Sequence, residues 1–331
     1  MVLLYIVIDM AKKKKRIKYK NLFVLTIIIA IILLSLLKIP NNAEKISKSK
    51  IPLISYIAKK KLEQERITNC LNSAEVPEEV KNSLNDLETD LNSYMSKYNI
   101  GFKYQEKTLD YELSSKSSQV FYGASLIKLV DAIYLLDNDI DLSLTKKYES
   151  KYKIPFSDKM AKRSIGEDIS LNDLMNYAIS VSDNTAHLML IDYIGFSKLQ
   201  EYGKNLGGKV ILQGGDKFGN QTADDMMIYL NRAYELINTK DNGHLLKEAM
   251  LNTEVNYLNF DDVVLGHKYG SWDVYFHDVG IYFSDKPYLI AVLSTSDKNK
   301  NVVTEISKKV YNIHNTLINN KTNYCKNINK K

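Results

Sequence analysis

The chain has 331 residues, a formal net charge of +6 and 45% hydrophobic residues, enough to bury one large domain or two small ones. The charge is unevenly spread: residues 1–20 carry +6, residues 21–66 carry +5 and residues 321–331 carry +4, so residues 67–320 carry −9. A region this acidic is a poor partner for nucleic acid, whose phosphates need clustered Lys and Arg, and two cysteines make neither a metal cluster nor a disulfide framework.

Residues 1–20 form a basic segment, with Lys12 to Lys15, Arg16, Lys18 and Lys20 against Asp9. Residues 21–38 hold an apolar run, Leu22 to Leu37, broken only by Thr26 and Ser35. Its helical length of ~24 Å falls slightly short of a hydrocarbon core, a gap that flanking lysines close by snorkelling. The stretch Leu36-Leu37-Lys38-Ile39-Pro40 offers no small-residue cleavage site. The reading is an uncleaved single-pass anchor, with the basic end cytoplasmic and residues 38–331 outside. Met10 is an alternative start. Residues 39–75, rich in Lys, Asn, Ser and Glu, read as a tether; Leu53, Ile54, Ile57 and Ala58 beside Lys59 to Lys61 suit an anionic membrane surface or a solvated linker equally.

An ordered domain is expected over 76–320, with 321–331 as a tail. Val80, Leu84, Leu87, Leu91, Tyr94 and Tyr98 recur at helical spacing after Pro77, predicting one long helix. Strands are predicted at Ile100 to Gln105 and Leu109 to Leu113. A short apolar run, Val120 to Tyr122, then ends at Gly123-Ala124, where a helix begins with Leu126, Leu129, Val130, Ile133 and Leu136 on one face. Residues 137–169 are polar and irregular. Ser170 caps a helix carrying Leu171, Leu174, Met175, Ala178 and Ile179; the loop Ser180 to Asn184 leads to another helix ending near Gly195. Phe196 to Leu206 reads as a third helix, stopped at Gly207-Gly208, and Thr222 caps a fourth. Strands follow at Val263 to Gly270, Val274 to Phe283 and Tyr288 to Thr295, with a hairpin turn at Ser284-Asp285-Lys286. A closing helix carries Val302, Val303, Ile306, Val310, Ile313 and Leu317. The order suits an α+β fold: one antiparallel sheet completed from both chain ends, with a helical lobe over about 131–260 inserted between them.

Ser125 stands at the helix start, where unpaired N–H groups and the dipole favour a developing oxyanion, and Lys128 lies three residues on along the same face. A serine that can pass its proton to a neighbouring amine is an activated nucleophile. The same spacing occurs at Ser47/Lys50, Ser143/Lys146 and Ser150/Lys153, all in polar stretches; only Ser125 opens an apolar helix after a strand. Two further signals follow in order, Ser182-Asp183-Asn184 and Lys268-Tyr269-Gly270.

Together these resemble the three motifs of the penicillin-recognising serine enzymes, S-x-x-K, S-D-N and K-T-G. The context Ser182-Asp183-Asn184-Thr185-Ala186, followed by an apolar helix ending at Gly195, resembles class A β-lactamases most closely. The resemblance implies a β-lactamase/transpeptidase-like fold with a five-stranded sheet. It implies that Ser125 attacks the carbonyl, Lys128 accepts its proton, and Ser182 relays a proton to the leaving nitrogen. Asn184 fixes Lys128 and the substrate amide, and Lys268 supplies positive charge for a substrate carboxylate. The backbone N–H groups of Ser125 and Ser271 make the oxyanion hole, and Gly270 lets the substrate backbone approach. The partners implied are a β-lactam or a peptidoglycan stem peptide, with no cofactor, metal or nucleic acid. Because the first and last helices of this family pack antiparallel, the resemblance also implies a Cys70–Cys325 disulfide.

Two departures stand out. Tyr269 occupies the place of a small hydroxyl residue, which implies a cleft of different shape. The Ω-loop Glu that activates the deacylating water in class A enzymes has no counterpart: Glu201 lies in a helix before the loop position and reads as solvated, and Asp216 is the one carboxylate within the short loop. The acyl-enzyme is therefore expected to persist, giving slow β-lactam turnover or a peptidoglycan-like substrate. A D-alanyl-D-alanine peptidase is the nearest alternative; a covalent β-lactam sensor and a non-catalytic binding module are the others, the sensor disfavoured by a cytoplasmic part of only 20 residues. His187, His244, His267, His277 and His314 show no metal-ligand spacing and read as packed or solvated. Gly214, Gly215 and Gly219 form a loop without a phosphate-binding context.

Overall fold

The computed structural model describes residues 43–209, 217–295 and 301–328. The proposed anchor at 21–38, the basic segment, Gly214, Gly215 and Asp216 lie outside the described residues. Among those described, no helix is long and apolar enough to cross a membrane.

Helix α1 (Ala43–Asn72) runs through most of the stretch read as a tether. The single helix expected after Pro77 is two, α2 (Glu78–Asn82) and α3 (Asn85–Met95). The break falls at Ser83, whose hydroxyl donates to the Val80 carbonyl at 2.6 Å and so competes with the helical ladder. Strand β1 (Asn99–Glu106) follows, then β2 (Glu112–Ser115), three residues later than predicted. The apolar Leu109 and Tyr111 are buried in the turn instead, because the Glu106 carboxylate accepts the backbone N–H groups of Thr108 and Leu109.

The nucleophile region comprises β3 (Phe121–Tyr122), a 3₁₀ turn (Ala124–Ile127) and α4 (Lys128–Asp137). The stretch 137–169 is less irregular than its polarity suggests: β4 (Thr145–Lys147) pairs with β5 (Asp168–Ser170) around two 3₁₀ turns, Ser150–Tyr152 and Met160–Lys162. Helix α5 (Leu171–Ser180) starts where Ser170 Oγ accepts the Asp173 N–H at 3.0 Å. Helix α6 (Asn184–Ile194) starts on the Asp183 carboxylate, which accepts the Ala186 N–H at 3.0 Å, and stops at Gly195, φ +94°. Then come α7 (Phe196–Asn205), β6 (Asn220–Gln221), and α8 (Ala223–Thr239), capped by Thr222 as expected. Helix α9 (Gly243–Leu251) is absent from the sequence reading.

Strands β7 (Gly266–Trp272), β8 (Tyr275–Tyr282) and β9 (Tyr288–Thr295) complete the sheet, and α10 (Asn301–Asn327) closes the chain, continuing seven residues into the expected tail. The five strands are ordered β2-β1-β9-β8-β7, every pair antiparallel. Central β9 is apolar from Tyr288 to Leu293 because both its faces are covered. Tyr288, Ile290 and Val292 pack with α2, α3 and α10, whereas Leu289, Ala291 and Leu293 pack with the helical lobe. Cys70 and Cys325 form the disulfide that the resemblance implied, tying the end of α1 to the end of α10. Edge strand β7 lies against the 3₁₀ turn, and this junction between sheet and lobe is where the three motifs meet.

Candidate active site

Ser125 is carried on a backbone held from three sides. Gly123 N–H donates to the Gly219 carbonyl at 2.9 Å, and Tyr122 pairs with Asn220 across β3 and β6. His277, buried in β8, donates from Nε2 to the Tyr122 carbonyl at 2.8 Å while its Nδ1 accepts the Ser294 N–H at 2.9 Å. That pair of contacts fixes the neutral tautomer, and burial lowers the ring's pKa to about 4. Ala124, just before the nucleophile, sits at φ +46°, a strained conformation for a residue with a Cβ.

Lys128 is fully buried. Its Nζ lies 2.9 Å from Ser125 Oγ, 2.5 Å from the Ser182 carbonyl, 3.1 Å from Ser182 Oγ and 2.6 Å from Asn184 Oδ1. Desolvation depresses its pKa to about 7, against the opposing pull of Asp183 and Asp131. A neutral amine has two hydrogens, which suit the carbonyl oxygens of Ser182 and Asn184, and a lone pair left to accept the Ser125 hydroxyl proton.

Ser182 adopts φ +55° in the loop between α5 and α6, and its Oγ is flanked by two amines, Lys128 at 3.1 Å and Lys268 Nζ at 2.9 Å. Lys268 also donates to the Tyr269 carbonyl at 2.8 Å, and its Nζ stands 4.1 Å from the centre of the Tyr269 ring. Burial and then the neighbouring Lys128 hold its pKa well below that of a free lysine. Tyr269 packs edge-on against Tyr257, and burial pushes its phenol up to about 12.

The motif residues thus fall into two layers. Ser125, Ser182, Asn184, Tyr269 and Ser271 line one cleft of about 990 Å³; Lys128 and Lys268 are buried behind it. Lys268, on edge strand β7, thus turns its amine onto Ser182 Oγ. A Cβ at Gly270 would lie 2.7 Å from the Gly123 carbonyl and 3.0 Å from Leu126, so its bareness lets β7 press against the nucleophile turn.

The sequence reading missed the aromatic lining. Tyr122, Phe156, Phe218 and Trp272 join Tyr269 around the cleft. Phe156 and Trp272, 72% and 53% exposed, meet edge-to-face with ring centres 5.7 Å apart, one from the lobe and one from the sheet edge. Phe156 holds φ +61°, strain that no sequence pattern announces. Phe218, in the described end of the short loop, places its ring 5.7 Å from Lys128 Nζ. The carboxylates among the described lining residues are Asp158, which accepts from Lys162 at 2.9 Å, and Asp273. Glu201 is exposed on α7, as expected. Of the histidines, His187, His267, His277 and His314 are buried and hydrogen-bonded, and His244 is at the surface.

A family model described as "Beta-lactamase enzyme family" matches residues 79–314. Among solved structures, a mutant of PBP-A in acyl-enzyme complex with penicillin G superposes with a TM-score of 0.63 at 17% identity, covering 69% of this chain and 96% of that one. The TLA-1 extended-spectrum β-lactamase gives 0.61 at 19% identity, covering 69% and 98%. A β-lactamase from Sphaerobacter thermophilus gives 0.61 at 18%, covering 70% and 97%.

Proposed function

Because the chain belongs to the beta-lactamase enzyme family, we propose that it is a serine acyl-hydrolase of the class A type, in which Ser125 takes an acyl group from a β-lactam amide and releases it slowly. The observation that carries this reading is the buried Lys128 amine, depressed to about 7 and 2.9 Å from Ser125 Oγ.

The amine accepts the Ser125 proton as Oγ attacks the carbonyl carbon, and the tetrahedral oxyanion is met by the N–H groups of Ser125 and Ser271. As the C–N bond breaks, Ser182 hands its proton to the leaving nitrogen and is resupplied by the protonated Lys128. Asn184 keeps Lys128 in register. Lys268 polarises the Ser182 hydroxyl, and an anionic substrate in the cleft would draw it to its charged form; Tyr269 and Ser271 offer hydroxyls to that anion.

Slow release follows from what adjoins Lys128. The loop segment presents the Phe218 ring there, and an apolar ring cannot activate water. The same observation favours a second reading, a D-alanyl-D-alanine peptidase acting on peptidoglycan, in keeping with a structural neighbour seen as a penicillin acyl-enzyme. The domain works outside the membrane, anchored through residues 21–38 with its N-terminus cytoplasmic; the Cys70–Cys325 disulfide supports an oxidising compartment.

The test is adduct lifetime. Residues 67–331 mixed with excess penicillin G and followed by intact mass should form a one-to-one adduct that outlasts many hours' worth of a fast β-lactamase's turnovers. Rapid clearance with stoichiometric excess of penicilloate would contradict slow deacylation, and no adduct at any concentration would overturn the acyl-transfer reading.

A further inference from the structure

Helix α4 carries Lys128 and, three residues on, Asp131; helix α6 carries Asn184 and, three residues on, His187. Residues three apart share a helix face, so the two helices are joined by successive rungs. The first is Lys128 Nζ to Asn184 Oδ1 at 2.6 Å, and the second is His187 Nδ1 to Asp131 Oδ2 at 2.5 Å. Both members of the second rung are fully buried, and the proposed reaction uses neither.

The proton count of this rung is set by its far end. His187 Nε2 is 3.0 Å from the Lys217 carbonyl, an acceptor only, so Nε2 carries a hydrogen. A nitrogen and a carboxylate oxygen 2.5 Å apart need one more proton between them. The pair therefore holds two hydrogens and no net charge, whichever atom owns the shared one. Asp131 Oδ1, buried without a hydrogen-bond partner, makes the arrangement costlier than two apolar side chains in the same space. Its product is a fixed loop. With Lys217 tethered, the Phe218 ring lies tilted against His187, centres 5.2 Å apart, and stands 5.7 Å from Lys128 Nζ, and the next residue, Gly219, accepts the Gly123 N–H beside the nucleophile.

We propose that Asp131 and His187 are positioning residues that strap the Lys217–Gly219 segment over Lys128 and so keep its amine out of water. This rests on the reading of Lys128 as the base that accepts the Ser125 proton. Desolvation is the largest cause of the depressed Lys128 pKa, and the charged groups acting on Lys128 are Asp183, Asp131 and, from β7, Lys268. His187→Ala releases the strap and removes the partner that stabilises the Asp131 carboxylate, whose pKa burial raises. Admitted water favours the ammonium form; Asp131 adds to this where it ionises and, where it takes up a proton, leaves the rung as uncharged as before, so it does not oppose the shift. Asp131→Asn differs: its amide can donate to Nδ1 while Nε2–H still holds Lys217, and no carboxylate remains.

The experiment measures Lys128 in two ways, by ¹³C-lysine NMR titration and by the pH profile of Ser125 acylation with penicillin G. In His187→Ala the titration and the acidic limb of the profile should move up together by about one unit or more. Acylation then falls about tenfold at pH 7 and recovers by pH 9. Asp131→Asn should leave both in place or lower them. A His187→Ala profile reduced equally at every pH, or an unmoved Lys128 titration, overturns the proposal. Phe218→Ala, at the cleft wall, covers the case of a His187→Ala chain that does not fold: it should move the limb upward, and an unmoved limb counts against the strap. If the wild type takes no acyl group, the function reading fails, while the NMR titration still decides this one.

Discussion

The charge state of Lys128 sets the pH dependence of acylation, and pH is itself the sharpest perturbation. An ordinary lysine with a pKa of 10.5 is neutral in only about one molecule in 3,000 at pH 7; at about 7 it is neutral in roughly half. Burial thus raises the population of competent base about a thousandfold. The second-order acylation rate, read from the growth of adduct mass after quenching, should rise about tenfold per pH unit up to about pH 7 and level off above it. Lys128→Arg, always charged, should cost about a thousandfold at pH 7. A rate that still climbs tenfold per unit from pH 8 to 9 would show an ordinary lysine and refute the argument. The same depression has a stability consequence. Between about pH 7 and 10.5 the unfolded chain holds the Lys128 proton and the folded chain does not, so this group makes stability rise with pH across that window.

Other consequences concern the frame around the site. The Cys70–Cys325 disulfide spans 255 residues of chain, for which loop-closure entropy predicts a stabilisation of about 5 kcal/mol; Cys70→Ser should lower the guanidinium midpoint by a corresponding amount, and a loss under about 1 kcal/mol would contradict it. His277 and His314 are each held neutral by burial with pKa lowered to about 4, so stability present above pH 6.5 is lost as pH falls toward 4, at up to ~1.4 kcal/mol per unit for each. A urea midpoint flat from pH 6.5 to 4.5 would count against that burial. Gly270→Ala puts a methyl 2.7 Å from the Gly123 carbonyl, and the displaced nucleophile turn should slow acylation about tenfold to a hundredfold; a wild-type rate would show that β7 and the turn do not pack as described.

How much was readable beforehand depended on whether the signal was local. Ser170 and Thr222 cap their helices through contacts made three residues on, and the unbroken apolar run Tyr288 to Leu293 in β9 records two covered faces; each is visible within a few residues. The motif residues were identified by order along the chain, and the fold does bring Ser125, Lys128, Ser182 and Lys268 together. What escaped depended on three dimensions. That the Lys268 amine is buried and turned onto Ser182 depends on how β7 packs against the lobe, which no local pattern records. The close approach of Gly270 to the Gly123 backbone is likewise a contact between segments far apart in the chain. Phe156 and Trp272 come from segments more than a hundred residues apart, and neither has a pattern that assigns it to the cleft. The break at Ser83 turns on one side-chain hydrogen bond, to which hydrophobic periodicity is blind.

The central claim is that Ser125 is the atom acylated. It is tested most directly by incubating the disulfide-intact domain with penicillin G, quenching in acid, digesting and locating the added mass by peptide sequencing. The account predicts one modified peptide, with the acyl group on Ser125 and none in Ser125→Ala. An adduct on any other residue, or one that survives Ser125→Ala, would contradict it.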